Sequence, residues 1–333
     1  MAEKKLLEVK HLKTYFHTDN GLVKAVDDVS FSLEKGKTLG IVGESGCGKS
    51  ITSLSIMGLV ECPPGKNEGG EILFEGEDLL KKSSDELRKV RGKKIAMIFQ
   101  EPMTSLNPVF TVGQQITEAL KIHEGLDKHA AKERAIEMLK MVKIPLPERR
   151  FGEYPHQLSG GMRQRVMIAM ALCCNTDLLI CDEPTTALDV TIQAQILNFI
   201  NELKEKSGTS VMMITHDLGV IAEVADDVMV MYAGKVVEQA TTDEIFETPL
   251  HPYTAGLMKC IPKLHENVEE LATIKGMVPS FDDMPKGSAF CPRCEESRKI
   301  CEEQMPGLTD VNGRTVRCFK YDEQYKDLWK EEN

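Results

Sequence analysis

The chain has 333 residues, with 41 Lys and Arg against 52 Asp and Glu, for a formal net charge of −11. That acid excess opposes a role in gripping duplex nucleic acid, where phosphate neutralisation needs clustered basic side chains. The length predicts a substantial core and a second, smaller domain, and no apolar run approaches the roughly 18 residues of a membrane helix.

In chain order, MAEKKLLEVKHLKTYF has no signal-peptide core, so a cytosolic chain is expected. Residues 6 to 42 read as short strands with polar turns, ending in a buried-strand pattern from Thr38 to Val42. GESGCGKS follows at 43 to 50. Gly43, Gly46 and Gly48 let the backbone turn tightly, so that successive N–H groups and the start of the next helix, Ser50 to Leu59, face an anion. Lys49 can then reach the β- and γ-phosphates of a nucleotide, and Ser50 offers Mg²⁺ an oxygen.

Residues 71 to 76 and Lys94 to Phe99 read as further strands, the second leading into Gln100. From 111 to 172 the periodicity turns helical, with breaks at Gly125, Pro145 and Pro155. Within it, LSGGM at 158 to 162 offers Ser159 as an N-cap, while Gly160 and Gly161 clear the helix start of side chains, which makes a second phosphate-binding surface. Two such surfaces with one Lys49 predict head-to-tail pairing of two subunits around two nucleotides.

Leu178 to Cys181 form an apolar strand that delivers Asp182 and Glu183 at its carboxyl end, where ligands bind in open α/β sheets. One carboxylate for Mg²⁺ (Asp182) and one to polarise the attacking water (Glu183) is a sufficient division for phosphoryl transfer. Alone, such a pair reads as two solvated acids; Pro184 and the ALD at 187 to 189 argue against that.

After residue 250 the organisation changes. HPYTAGLM at 251 to 258 precedes a Pro- and Gly-bearing region with Cys291, Cys294, Cys301 and Cys318, whose gaps are two, six and sixteen residues. The other six of the ten cysteines are scattered and read as small buried hydrophobes. For the four, disulfides are opposed by a reducing compartment, whereas both zinc and an iron–sulfur cluster suit four thiolates. Their spacing slightly favours zinc.

The ordered set of GESGCGKS, LSGGMRQR, LLICDEPTTALD and His216 in VMMITHDL resembles the ATP-binding subunit of an ABC transporter, and the tail resembles that of the oligopeptide and dipeptide importers. The resemblance implies an α/β fold: a P-loop ABC ATPase with antiparallel β subdomain, RecA-like core and helical subdomain, plus a small cysteine-bearing extension. It places the ATPase at 1–250, its helical subdomain at about 101–172, and the extension at 251–333. It implies that Gly43, Glu44, Ser45, Gly46, Cys47, Gly48, Lys49, Ser50 and Ile51 hold the nucleotide with Phe16 stacked on adenine. Ser159, Gly160, Gly161 and Asp189 meet the partner's nucleotide or subunit. Gln100, Glu183 and His216 surround the γ-phosphate and its water, and Ser50, Gln100 and Asp182 hold Mg²⁺. Met162 departs from the widest signature, which has glutamine, but is usual in the peptide-importer branch.

The resemblance also shifts Cys291, Cys294, Cys301 and Cys318 toward [4Fe–4S], with Zn²⁺ as the alternative. Its implied partners are a related second ATPase chain, two membrane permeases that dock on EPMTSLNPVFTVGQQI at 101 to 116, and an external peptide-binding protein. The implied place is the cytoplasmic face of the plasma membrane and the implied work is ATP-driven import of di- or oligopeptides, with nickel-type cargo or a redox- or metal-sensing ATPase as alternatives. A chromosome-structural ATPase would need a coiled coil between Lys49 and Ser159, for which the interval is too short. A translation-factor ATPase would carry two cassettes, and a single phosphate loop occurs.

Overall fold

Strands that are buried along their whole length set the architecture. The computed structural model describes residues 5–100, 105–185, 189–260 and 273–329. In chain order its strands are β1 (Lys5–Thr18), β2 (Gly21–Glu34), β3 (Thr38–Val42), β4 (Gly65–Phe74), β5 (Glu77–Asp78), β6 (Ile95–Ile98), β7 (Leu178–Asp182), β8 (Ser210–Ile214), β9 (Asp227–Tyr232), β10 (Lys235–Thr241), β11 (Thr309–Val311) and β12 (Arg314–Val316). Every residue of β3, β6, β7 and β8 is buried, as expected for strands covered on both faces.

The chain divides into two compact units. One takes Leu33–Thr38 and Phe74–Thr215 with the residues up to Leu7; the other takes Glu8–Ser32, Leu39–Leu73 and His216–Asn333.

In the first unit, β7 lies between β8 and β6, parallel to both, with Ile180 beside Met97 and Met212. The predicted helical region resolves into α-helices Val112–His123, Lys128–Met141 and Gly160–Leu172, with a helical turn at Pro147–Arg150. The interruptions fall at Gly125 (φ 67), before Pro147 and at the short 3₁₀ turn Pro155–Gln157. Thr111 starts the first of these helices in a reciprocal capping box with Gln114.

In the second unit the strand order is β11-β12-β10-β9-β3, with β3 parallel to β9 and the others antiparallel. Helix α1 (Lys49–Met57) follows β3. A second sheet runs β2-β1-β4. The expectation of short strands over 6 to 42 is corrected here: β1 and β2 each run 14 residues. The polar TDNG segment between them is a tight turn in which the Thr18 hydroxyl donates to the Gly21 carbonyl at 2.9 Å.

The tail extends the sheet of the second unit. β12 pairs with β10, Val316 opposite Glu238, and a buried ion pair fastens it. Arg314 Nη2 donates to Glu238 Oε1 at 3.0 Å, and the backbone N–H groups of Leu250 and His251 donate to the two carboxylate oxygens, both at 2.8 Å. Glu238 is fully buried, and a buried ion stripped of its partner is costly. Arg314→Met should therefore lower unfolding free energy by about 3–5 kcal/mol; urea denaturation of the full chain measures it.

Candidate active site

β3 ends at Val42, and the backbone of the next six residues is shaped by glycine. Gly43, Gly46 and Gly48 have φ of 151, 79 and 100. A β-carbon on Gly43 would lie 2.2 Å from the Met231 carbonyl oxygen, and one on Gly48 would lie 2.2 Å from that of Ala25; at Gly46 nothing stands within 4 Å. Two of the glycines thus let the loop press against the neighbouring backbone, and the third keeps its outer face open.

Lys49 opens α1 and is buried, 7% exposed. Its Nζ donates to the carbonyl oxygens of Gly43 at 2.7 Å and Glu44 at 2.9 Å. The ammonium therefore lies folded over the loop, within a side chain's swing of an anion seated on the amides. Beneath it, burial pushes the Cys47 thiol up, partly offset by the Lys49 charge. Ser45 and Gly46 are exposed, and Ser50 and Ile51 are half-buried.

In the other unit, Asp182 ends β7 and is 3% exposed. Glu183 takes a left-handed backbone, φ 48, with its N–H donating to the Ile214 carbonyl at 2.9 Å. A non-glycine residue held there is strained, and such strain clusters at functional sites. Gln100, two residues beyond β6, donates from Nε2 to Glu183 Oε2 at 3.3 Å. Sequence residues 83 apart are thus joined at the carboxyl ends of two adjacent strands.

Ser159, exposed, caps the helix Gly160–Leu172 by accepting the Met162 N–H at 3.4 Å, and a β-carbon at Gly160 would meet nothing within 4 Å. Gly161 is half-buried in the first turn. From the same helix buried Gln164 donates to the Pro184 carbonyl, which ties the SGG helix to the segment just past the acid pair. Gln164 is a polar residue on an apolar helix face, and that was the available signal for it. Asp189, exposed, caps the helix Val190–Ser207 by accepting the Ile192 N–H at 3.0 Å. Ala187 and Leu188 of the ALD segment lie outside the described residues.

In the second unit His216 is exposed. Phe16, on β1, is half-buried against Gly65. Its neighbour Tyr15 is committed elsewhere, donating its hydroxyl to Asp27 at 2.6 Å.

Cys291, Cys294, Cys301 and Cys318 line one small cavity, together with His251, Phe290 and Arg317. Burial, with the other thiols adding, pushes the Cys294 thiol up to about 11 and the Cys318 thiol up to about 12. Burial likewise holds His251 down to about 3, so it is neutral, and its Nδ1 accepts the Tyr253 N–H at 3.0 Å. Arg317 is 7% exposed, and its Nη2 has no hydrogen-bond partner. Among the described residues no group of three or more His, Cys, Asp or Glu is arranged to hold a single metal ion.

Comparison with known proteins agrees with these parts. Residues 26–186 match the ABC transporter family model, and residues 237–301 match that of the oligopeptide/dipeptide transporter C-terminal region. The chain is 55% identical to the oligopeptide transport ATP-binding protein AppD of Bacillus subtilis, covering 96% of this chain and 98% of that protein. It is 51% identical to the dipeptide transport ATP-binding protein DppD of the same organism, covering 96% of each. A dimeric, post-hydrolysis structure of the ATP-binding cassette MJ0796 bound to ADP and Pi superposes with a TM-score of 0.65 at 29% identity, over 71% of this chain and 98% of that one.

The loop geometry makes a direct prediction. Gly48→Ala, which drives a β-carbon into backbone, should destabilise the chain by about 3 kcal/mol or more, and Gly46→Ala, strained but unobstructed, by about 1 kcal/mol. Thermal and urea unfolding of the two variants should rank them in that order.

Proposed function

Because this chain belongs to the ABC transporter ATP-binding subunits of the oligopeptide/dipeptide importer family, we propose that it hydrolyses ATP to power peptide import along the following lines. It is an ATPase of the ABC type, and ATP with Mg²⁺ is the pair such an ATPase uses. The observation that carries the reading is the loop at 43–50, open at Gly46 with Lys49 folded over it.

ATP lays its phosphates on the loop formed by Gly43, Glu44, Ser45, Gly46, Cys47, Gly48, Lys49, Ser50 and Ile51, the Glu44 N–H staying on the Tyr253 hydroxyl, and Lys49 exchanges the loop carbonyls for the β- and γ-phosphate oxygens. Ser50, Gln100 and Asp182 serve Mg²⁺. Glu183 polarises the attacking water, and its hydrogen bond to Gln100 keeps the carboxylate in place until metal and nucleotide arrive. His216 contacts the γ-phosphate, and Phe16 stacks on adenine. Ser159, Gly160, Gly161 and Asp189 face the nucleotide and loop of a second, related ATPase chain.

We assign residues 1–250 to the ATPase and 251–333 to the extension. The permease docks at 101–116, of which 101–104 lie outside the described residues. In the described part, Val109 is 70% and Phe110 46% exposed. Gln115 holds them out: its side chain bonds the Asn107 N–H and carbonyl and the Phe110 carbonyl at 2.9, 3.0 and 3.0 Å. Exposed apolar side chains on a pinned loop suit a partner's helix. Among the described residues no helix is long and apolar enough to cross a membrane, so membrane work requires separate permease subunits, with this chain at their cytoplasmic face and a peptide-binding protein outside. Di- and oligopeptides are the proposed cargo.

For the tail's four cysteines we favour [4Fe–4S], with Zn²⁺ as the alternative. Four cysteines around a cavity suit a cluster, which is anionic with its thiolates and would be met by the unpartnered Nη2 of Arg317. When bound, such a group cross-links the tail and is able to accept an electron.

Glu183→Gln should slow ATP hydrolysis about 10²- to 10⁴-fold while leaving ATP binding intact, and Lys49→Ala should weaken binding itself; steady-state hydrolysis and equilibrium nucleotide titration separate the two. Full chain purified without oxygen should contain iron and acid-labile sulfide, and zinc without sulfide would remove the cluster.

A further inference from the structure

Arg293 sits between Cys291 and Cys294, yet its side chain leaves the cysteine cavity and reaches the phosphate loop. Nη1 donates to Glu44 Oε2 at 2.8 Å and Nη2 to Glu44 Oε1 at 3.0 Å, a two-pronged pairing with the second residue of GESGCGKS. The remaining donors are also used: Nε to the Lys275 carbonyl at 3.0 Å, Nη2 to that of Ile274 at 3.2 Å, and Nη1 to the Tyr232 hydroxyl at 3.3 Å. A guanidinium has five N–H groups, so this one is fully satisfied. Its side chain is only 5% exposed.

The tail touches the same loop residue a second time. The Glu44 backbone N–H donates to the Tyr253 hydroxyl at 2.9 Å. Tyr253 belongs to HPYTAGLM and packs with Tyr232 and Phe290, ring centroids 4.7 and 5.4 Å away. The guanidinium carbon lies 5.8 Å from the Tyr232 ring centre and 6.0 Å from that of Phe290. Glu44 is therefore held by its carboxylate and by its N–H, while its carbonyl receives Lys49.

The geometry points to Arg293 as a positioning residue for nucleotide binding: by clamping Glu44 it fixes the loop carbonyls that seat Lys49, so the cysteine-bearing tail sets the affinity of the phosphate loop for ATP. The inference rests on reading 43–50 as the ATP site. A paired, planar fork is what arginine supplies and lysine does not. Loss of the clamp frees Glu44 to rotate, and a preorganised loop then has to be ordered by the ligand at the expense of affinity.

The test is ATP binding and steady-state hydrolysis by the full chain as wild type, Arg293→Met, Arg293→Lys, Glu44→Gln, the Arg293→Met/Glu44→Gln double variant and Lys49→Ala. Arg293→Met should raise the Kd and KM for ATP about tenfold with kcat within about twofold, and Arg293→Lys should fall between it and wild type. The double variant should be no worse than Arg293→Met, because both changes break one interaction. Glu44→Gln alters a side chain near the surface and keeps its shape, so it carries the test if Arg293→Met does not fold. Unchanged Kd and KM in Arg293→Met and Glu44→Gln, or additive losses in the double variant, would overturn the clamp. If Lys49→Ala loses ATP while those variants bind normally, the ATP-site reading stands and the clamp alone fails. If Lys49→Ala binds ATP like wild type, the site reading itself falls.

Discussion

Gly43 and Gly48 have no room for a β-carbon, and the loop between β3 and α1 exists only on that condition. The chain must turn from a fully buried strand into a helix within six residues while its outer face at Gly46 stays open. Once that turn is made, a helix N-terminus, a run of backbone donors and a buried ammonium share one small surface. The rest of the second unit serves to hold that surface still: β9 and its carbonyl at Met231, the Ala25 carbonyl, and the tail's grip on Glu44.

Much of this was legible in the sequence because it rests on local rules. Thr38–Val42 was read to the residue as a strand, since Leu39, Ile41 and Val42 form a short buried-strand pattern just before the glycine-rich turn. The helix breaks at Gly125, Pro145 and Pro155 were legible for the same reason. What the sequence hid was non-local. Arg293 reads as one basic residue between two cysteines, and nothing near it in the chain points to a glutamate 249 positions earlier. Glu238 is fully buried on its strand and is paired by Arg314, 76 positions later in the chain. The lengths of β1 and β2 were missed: residues 6 to 42 read as short strands with polar turns, whereas one tight turn joins two strands of 14 residues each.

The acid pair shows how strain and chemistry meet. Glu183 could relax into ordinary backbone only by moving its carboxylate, and the Ile214 carbonyl and Gln100 hold it at opposite ends. In the water-polarising role proposed for Glu183, position matters more than basicity, and a left-handed residue at a strand's end supplies position. The tail adds a second theme. Four thiols line one cavity, together with an arginine whose Nη2 has no hydrogen-bond partner.

The central claim is that residues 43–51 receive the nucleotide and that the acid pair acts on it. Amide hydrogen exchange on full-length Glu183→Gln, with and without MgATP, tests it most directly. Slowed exchange centred on 43–51, with smaller protection at 178–183, is the result this account predicts. Protection elsewhere with 43–51 unchanged would contradict it.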